Sequence, residues 1–170
     1  MIYGELSSSE IGPVYVAATN QGIARVSLWK IASDEQLNIT ADALQAFQYL
    51  TAALTELNLF LGGSLQRFSV PLDLGYLTDF QKLVLQSCIN IPYGQLTTYK
   101  ALARSIGKPN ATRAVASALA RNPILLFVPC HRVIGSDARL HGFAAPKGIL
   151  TKEALLRLEG HSVQNDRLLS

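Results

Sequence analysis

The sequence predicts an α+β protein with a small N-terminal α/β domain, residues 1–75, and a mostly helical C-terminal domain, residues 76–170. Two short β-rich runs followed by a helical pattern indicate the first domain. Two short helical patterns around a glycine-containing turn indicate a helix-turn-helix in the second. An apolar run from Ile124 to Val128 predicts a short strand that leads to Cys130. With 49% apolar residues, the 170-residue chain can bury a core.

The N-terminal elements begin with a predicted hairpin. Residues 14–18 and 23–28 are β-rich and are separated by the turn-forming residues 19–22. Residues 41–56 predict a helix whose apolar side chains follow a spacing of three and four, namely Leu44, Phe47, Leu50, Leu54 and Leu57. Residues 68–70 predict a further strand. This part contains no cluster of titratable residues, so we interpret it as a scaffold.

The C-terminal domain is predicted to begin with a helix capped by Thr78 and started by Asp79, whose charge favours that end of the helix dipole. Its inward stripe is predicted to contain Phe80, Leu83, Val84 and Cys88. Cys88 on such a stripe is expected to be a buried apolar residue rather than a reactive thiol.

A helix-turn-helix follows. The first helix is predicted from Thr98 to Ile106, with Ala101, Leu102 and Ile106 inward, and Asn110 is expected to cap a helix over 111–121. The small side chains of the second helix allow close approach to another helix or to a nucleic-acid groove, and taken alone they favour helix packing. A last helix is predicted over 151–159, ended by Gly160, and the polar tail after His161 is expected to be loosely held.

Composition limits the functional classes. Residues 1–90 carry four Lys or Arg against eight Asp or Glu, whereas residues 91–170 carry eleven against four. The basic half suits an anionic partner, although an uneven solvated surface would give the same count. Two cysteines do not make a disulfide framework, and the usual zinc spacings do not occur. The sequence has neither a membrane-spanning run nor a signal peptide at its start, so we expect a reduced, metal-free, cytoplasmic protein.

Cys130 is the strongest candidate for chemistry. A thiol nucleophile must lose its proton, which requires a base or a nearby positive charge, and His131 and Arg132 follow directly. Adjacent residues seldom face each other, so direct contact between Cys130 and His131 would need a sharp turn, and otherwise a bridging water. Glu159 could orient the histidine in a Cys–His–Glu relay. From chemistry alone, a buried structural cysteine beside a surface histidine explains the segment equally well.

The segment Pro129-Cys130-His131-Arg132-Val133 resembles the active-site signature of the O6-alkylguanine-DNA alkyltransferases. Other segments resemble that family in the same order and spacing, and they span about residues 76–161: Ile91–Gly94, Thr98-Tyr99, Arg113–Val115, Asn122-Pro123 and Lys152–His161. The N-terminal part resembles the variable α/β domain of the family more weakly.

The resemblance implies a direct-reversal DNA-repair protein that transfers an alkyl group from O6 of guanine, once per molecule, to Cys130. It implies that His131 deprotonates Cys130 through a water and that Glu159 holds His131. Asn122 would stabilise the turn around the site. Tyr99 would help to rotate the target nucleotide, and its hydroxyl could donate to the departing base. No cofactor is needed, since the thiolate and the substrate supply the chemistry.

The implied partner is double-stranded DNA that carries O6-alkylguanine, bound through its minor groove by the second helix of the helix-turn-helix. Arg113 would fill the space left by the flipped base. The other DNA contacts implied are Tyr99, Thr112, Ala114, Ser117 and Arg132. The implied substrate pocket contains Phe143, Ala144, Val133 and Pro129. The chain is expected to act as a monomer without a membrane partner.

One loop departs from the family pattern. Many members have Gly-Tyr-x-Gly-Gly beside the pocket, whereas this chain has Gly142 to Gly148, which is about two residues longer and has Phe143 in place of the tyrosine. The aromatic wall is retained without its hydroxyl. The rate and the tolerance of bulky alkyl groups are therefore open at this point.

Three alternatives remain. A non-catalytic lesion binder, like the alkyltransferase-like proteins, would lack the acceptor cysteine that this chain has. A cysteine hydrolase would use the same three residues but would leave Arg113, Tyr99 and the basic half unexplained, and no oxyanion-hole motif is recognisable. A purely structural module would show an unreactive Cys130.

Overall fold

The computed structural model describes residues 1–7, 11–31 and 41–169, with the side chains of the first helix described from residue 43 onward. The chain divides into two compact units, Met1–Tyr76 and Leu77–Ser170. Helices and small sheets occur together, which confirms the predicted mixed α/β class.

The first unit contains a three-stranded antiparallel sheet in the order β1-β2-β3. The strands are β1, Ile2–Leu6, β2, Val14–Thr19, and β3, Gly22–Ser27. The predicted hairpin of β2 and β3 is confirmed. Gly22 is required at its end, because a Cβ there would lie 2.4 Å from the carbonyl oxygen of Pro71 and the backbone has a φ of 146°. Strand β1 was not predicted.

Helix α1, Ala41–Leu61, packs against this sheet and is longer than predicted. Its buried face has the expected helical spacing but a different set of residues, namely Ala46, Leu50, Ala53, Leu57 and Phe60. Leu44 and Phe47 were expected on the inward stripe, yet they are 58% and 59% exposed. Two alanines lie on the buried face, where small side chains let the helix approach the sheet closely.

The strand predicted at residues 68–70 is wrong. The Glu56 carboxylate takes the hydrogen bonds that a strand partner would take, since it accepts from the Ser69 amide at 2.9 Å, from the Ser69 hydroxyl and from the Val70 amide. Backbone pairing of this segment with β3 begins one residue later, at Pro71. Ile23 N donates to Pro71 O at 2.8 Å, and Asp73 N donates to Ile23 O at 2.9 Å. A side chain on α1 therefore decides the path of this segment.

The second unit contains four α-helices: α2, Asp79–Ile89, α3, Tyr99–Ser105, α4, Thr112–Ala120, and α5, Ile149–Leu158. Two pairs of two-residue strands accompany them: β4, Thr97–Thr98, parallel to β5, Val133–Ile134, and β6, Val163–Gln164, antiparallel to β7, Arg167–Leu168. The predicted helix-turn-helix corresponds to α3 and α4, which pack against each other.

The helix caps were predicted with mixed success. Thr78 caps α2 as expected and forms a capping box with Gln81. Asn110 was expected to cap α4, but the N-cap is Ala111, which has no side chain for that bond. The buried residues of α2 and α3 also differ from those predicted. In α2, Leu85 rather than Leu83 is buried, and in α3, Ala103 rather than Ala101 is buried.

Two further predictions, both in the second unit, are wrong. No strand leads to Cys130: residues 124–128 form a buried turn in which Leu126 has a φ of 72°, and the strand β5 follows the cysteine. The tail after His161 is not loose, because residues 163–168 form the β6–β7 hairpin, on which Leu168 packs against the buried cluster around Leu156. Short polar strands of this kind have too little hydrophobic pattern to be predicted.

The corrected face of α1 leads to a stability prediction. Leu57→Ala should lower the free energy of unfolding by about 2–5 kcal/mol, because Leu57 is fully buried and its loss leaves a cavity. Leu44→Ala, the matched control, should change it by less than about 0.5 kcal/mol. Urea unfolding measures both values, and equal losses would mean that the buried face is wrongly assigned.

Candidate active site

Cys130 begins a single 3₁₀ turn, Cys130–Arg132, at the end of the buried segment 124–128. Cys130 N donates to Val128 O at 2.8 Å and Arg132 N donates to Pro129 O at 2.9 Å, so the backbone is tightly closed on itself. Such a turn points consecutive side chains in different directions. All three side chains are buried.

Asn122 holds the turn and contacts the sulfur. Its amide nitrogen donates to Val128 O at 3.0 Å and to Cys130 Sγ at 3.2 Å, and its oxygen accepts from Ile124 N at 3.0 Å. A donor to sulfur favours the thiolate over the thiol. Asn122 therefore holds the turn, as expected, and its hydrogen bond also stabilises the thiolate form of Cys130, which was not expected.

The buried carboxylate of Glu159, which follows α5, is the centre of the hydrogen-bond network. His131 Nε2 lies 2.7 Å from its Oε1, the Arg132 guanidinium donates to both of its oxygens, and Gly94 N donates to Oε2 at 3.0 Å. Burial would raise the pKa of Glu159, but the hydrogen bonds from His131 and Arg132 outweigh it and lower the pKa to about 2. Glu159 is thus a fixed negative charge at neutral pH.

His131 is a neutral base in this setting. Burial lowers its pKa, against the opposing effect of Glu159. Because the ionised carboxylate can only accept, the His131 proton lies on Nε2 and Nδ1 keeps a free electron pair. Nδ1 is buried and has no hydrogen-bond partner in the described part of the chain. A buried, unsatisfied acceptor on the residue next to a thiol is suited to remove a proton from it.

The thiol itself is protonated at rest. Burial raises the pKa of Cys130, while the Asn122 hydrogen bond and the positive charge of Lys152 partly counteract it. Lys152 is 1% exposed, and its ammonium donates to Val133 O at 2.7 Å and to His141 O at 3.3 Å. Burial lowers the pKa of Lys152 to about 8. Lys152 was not predicted as a site residue, although it lies two helical turns before Glu159 and so faces the same side.

A groove of about 580 Å³ lies in the same unit. Five of its wall residues were selected from the sequence, namely Tyr99, Thr112, Arg113, Phe143 and Ala144. The others are Ala116, Ala120, His141 and Gly142. Burial raises the pKa of Tyr99 to about 12, so its hydroxyl stays protonated. The Tyr99 ring lies 5.8 Å from Lys152 Nζ and 6.2 Å from the His141 ring. Tyr99 therefore connects the groove to the buried charges.

Three other residues selected from the sequence are buried and do not line the groove. Arg132 was expected to contact DNA, but its guanidinium is buried and donates to Glu159 and to Ile91 O at 2.6 Å. Pro129 and Val133, expected in the pocket, are buried as well, and the Val133 carbonyl is occupied by Lys152. The remaining two helix residues, Ala114 and Ser117, are exposed on α4. Arg132 therefore makes its contacts inside the protein, with a carboxylate and a carbonyl that are distant in sequence.

This geometry places a buried cysteine, a neutral histidine held by a carboxylate, and a groove in the same unit of the chain. A model of the 6-O-methylguanine DNA methyltransferase DNA-binding domain matches residues 79–161, and one of the ribonuclease-like domain matches residues 2–74. The chain belongs to the 6-O-methylguanine DNA methyltransferase family.

Named relatives and solved structures agree. The chain is similar to the methylated-DNA–protein-cysteine methyltransferase of Methanosarcina barkeri, with 39% identity over 96% of this chain and 100% of that protein. The Mycobacterium bovis protein of the same name is 37% identical over 94% and 93%. A crystal structure of Mycobacterium tuberculosis OGT in complex with DNA matches with a TM-score of 0.78 and 36% identity, over 92% of this chain and 91% of that one.

Across residues 1–7, 11–31 and 41–169, no group of three or more His, Cys, Asp or Glu side chains is arranged to hold a metal ion. None of the helices in the described ranges is both long and apolar enough to span a membrane.

The network around Glu159 leads to a pH prediction. Because its pKa falls from 4.5 to about 2 on folding, ionised Glu159 stabilises the folded protein above about pH 4.5, and that contribution is lost as the pH falls towards 2. Glu159→Gln should therefore lose less stability than the wild type between pH 4.5 and 2. At neutral pH it should cost about 3–5 kcal/mol, because Arg132 keeps a buried charge without its partner.

Urea unfolding at several pH values measures this difference. Glu153→Gln is the matched control, since Glu153 pairs with the half-exposed Arg157 on the same helix. It should lower the free energy of unfolding by less than about 1 kcal/mol at neutral pH, as the loss of an exposed ion pair does. If Glu159→Gln keeps the wild-type pH slope, Glu159 does not have a depressed pKa in the folded protein.

Proposed function

We propose that this chain repairs DNA by direct reversal, with Cys130 as the acceptor of a methyl or larger alkyl group from O6 of guanine. The observation that carries the assignment is the buried Glu159–His131 pair next to Cys130, with His131 Nδ1 unpartnered. A structural cysteine would need neither a base nor a carboxylate that holds it. The relatives named for the same reaction support the proposal.

In the proposed reaction, His131 Nδ1 takes the Cys130 proton through a bridging water. The thiolate attacks the alkyl carbon in line with O6, so that an S–C bond forms as the C–O6 bond breaks. Guanine leaves with the electron pair of that bond. Tyr99, whose hydroxyl stays protonated, donates to the departing base. The product is a thioether, which thiols do not readily reverse, so each molecule reacts once.

The charges around the sulfur suit a thiol that reacts only when the substrate is bound. A raised pKa keeps the Cys130 thiol unreactive towards chance electrophiles. Asn122 and Lys152 stabilise the thiolate as it forms, because both act on the charged form of the sulfur. Their stabilisation is greatest where water is excluded.

Double-stranded DNA is the proposed partner. A guanine inside the stack cannot present O6 to a buried sulfur, so the nucleotide has to be rotated out. Arg113 is exposed near the start of α4 and on the groove wall, where it can enter the duplex and replace the flipped base. Ala114 and Ser117 are small and exposed on the same helix, which suits close approach to a minor groove.

The two units have separate proposed roles. Residues 76–170 hold every residue of the proposed reaction and DNA interface, so we assign them both functions and treat residues 1–75 as a scaffold. We further propose that the protein acts as a monomer in the cytoplasm, where thiols stay reduced. A non-catalytic lesion binder remains the alternative outcome of the first experiment.

The first experiment is intact mass spectrometry after excess protein is mixed with a duplex that contains O6-methylguanine. The wild type should gain one methyl group and Cys130→Ser should gain none. Cys88→Ser is the control, because Cys88 is fully buried and burial raises its pKa well above the usual value. It should gain the methyl group like the wild type. Lesion-selective binding without any mass change would instead identify a non-catalytic binder.

The role of Arg113 predicts a difference between duplex and single-stranded substrates. Arg113→Ala should lower the single-turnover rate on saturating duplex by about tenfold or more, since flipping costs a few kcal/mol and loses its compensation. The rate on a single strand, where no pair is broken, should change far less. Arg121→Ala, just after the end of the same helix, is the matched control. Equal losses on both substrates would assign Arg113 to general DNA affinity.

A further inference from the structure

The C-terminal hairpin, Val163–Leu168, lies outside both segments matched by the family models, 2–74 and 79–161. Its strands β6 and β7 are joined by Asn165 and Asp166, which have φ values of 50° and 56°. Positive φ at both positions is typical of a tight two-residue hairpin turn, and Asn and Asp tolerate it better than other non-glycine residues. The hairpin is thus encoded as a defined element.

The hairpin binds the 135–141 loop through its backbone. Leu140 N donates to Asp166 O at 2.8 Å, and Leu168 N donates to Ala138 O at 3.1 Å. The Arg167 side chain adds two hydrogen bonds, from Nε and Nη2 to Asp137 O at 3.2 and 3.1 Å. The middle of the loop is therefore hydrogen-bonded to the hairpin in the way that a third strand would be.

Apolar packing joins the same two segments. Ile134 and Leu140, at the two ends of the loop, form a buried cluster with Leu156 and Val163, and Leu168 packs against it. Val163 and Leu168 are both hairpin residues. Because these backbone and apolar contacts order the loop in the free protein, binding of a ligand does not have to supply the conformational entropy of ordering it.

The loop ends at the groove. His141 directly follows Leu140, its carbonyl accepts from Lys152 Nζ, and its ring is part of the groove wall beside Tyr99. The start of the loop is packed against the same ring, because a Cβ on Gly135 would lie 2.5 Å from His141 Nε2. A displacement of the loop would move His141 and the adjacent wall residues 142–144.

We propose that the C-terminal hairpin positions the groove wall for alkyl transfer, and that Arg167 and Leu168 are positioning residues for the reaction. They act through the 135–141 loop and touch neither the sulfur nor the base. The hairpin would keep His141 and Phe143 where they align the alkyl carbon with Cys130. This inference rests on the proposed function of the same site.

The test compares Arg167→Ala, Leu168→Ala and the double variant with Gln164→Ala, whose side chain is exposed on the same hairpin. Four quantities are measured on the full chain: amide exchange of Leu140, affinity for an undamaged duplex, the rate of Cys130 alkylation by iodoacetamide, and the single-turnover rate on saturating duplex with O6-methylguanine. The first reports the loop, the next two report DNA binding and the thiol, and the last reports alignment.

The double variant should exchange the Leu140 amide faster and should lose about tenfold or more in single-turnover rate, since small misplacements of a reacting group have effects of this size. Undamaged-duplex affinity and iodoacetamide reactivity should stay within about twofold of the wild type. Arg167→Lys should recover part of the rate, because its ammonium can still donate to Asp137 O. Gln164→Ala should behave as the wild type.

Three results would overturn the inference. Unchanged Leu140 exchange would mean that the hairpin does not hold the loop. Faster exchange with an unchanged transfer rate would mean that the loop does not align the substrate. A parallel loss of transfer and iodoacetamide reactivity would mean that the hairpin only stabilises the fold. Absence of methyl transfer in the wild type is a separate result, which would contradict the proposed function instead.

Discussion

The structure of the second unit depends on one buried carboxylate. Glu159 accepts from the neighbouring residues His131 and Arg132 and from the backbone of Gly94, which lie in two parts of the chain distant from Glu159 in sequence. A buried carboxylate without these donors would be too costly to ionise, and a buried Arg132 without the carboxylate would be an uncompensated charge. Each partner is therefore tolerable only in the presence of the others. The interaction joins the end of α5 to the 3₁₀ turn that carries the nucleophile.

The same interaction determines the chemistry of His131. An ionised acceptor at Nε2 fixes the tautomer, and the ring position leaves Nδ1 as the only nitrogen able to take a proton. The ammonium of Lys152 and the hydrogen bond from the Asn122 amide both lower the pKa of Cys130. The negative charge of Glu159 raises the pKa of His131 instead. The network thus keeps the base neutral and ready while the thiol stays protonated, which suits a protein that can react only once.

The candidate site residues could be predicted because their sequence pattern is specific. Cys130, His131, Glu159 and Asn122 were selected from the motifs, and the structure pairs His131 with Glu159 and Asn122 with Cys130. The long helix α1, the β2–β3 hairpin and the Thr78 cap were also predictable, since periodicity and capping are local properties. Burial was harder: Leu44 and Leu57 look equivalent in a helical pattern, yet only Leu57 is covered by the rest of the unit.

The fold class could be determined from the sequence alone, because helical and strand patterns are local, and the Pro129–Val133 signature indicated Cys130 and His131 as the candidate nucleophile and base. Only the tertiary structure decided which cations are buried and which strands form. Arg132 and Lys152 are buried because partners distant in sequence satisfy them, and nothing local to either residue indicates those partners. The C-terminal hairpin follows the same rule, since its two-residue strands are stabilised by a loop some 30 residues earlier. Long-range pairing of polar groups is a property of the folded chain alone.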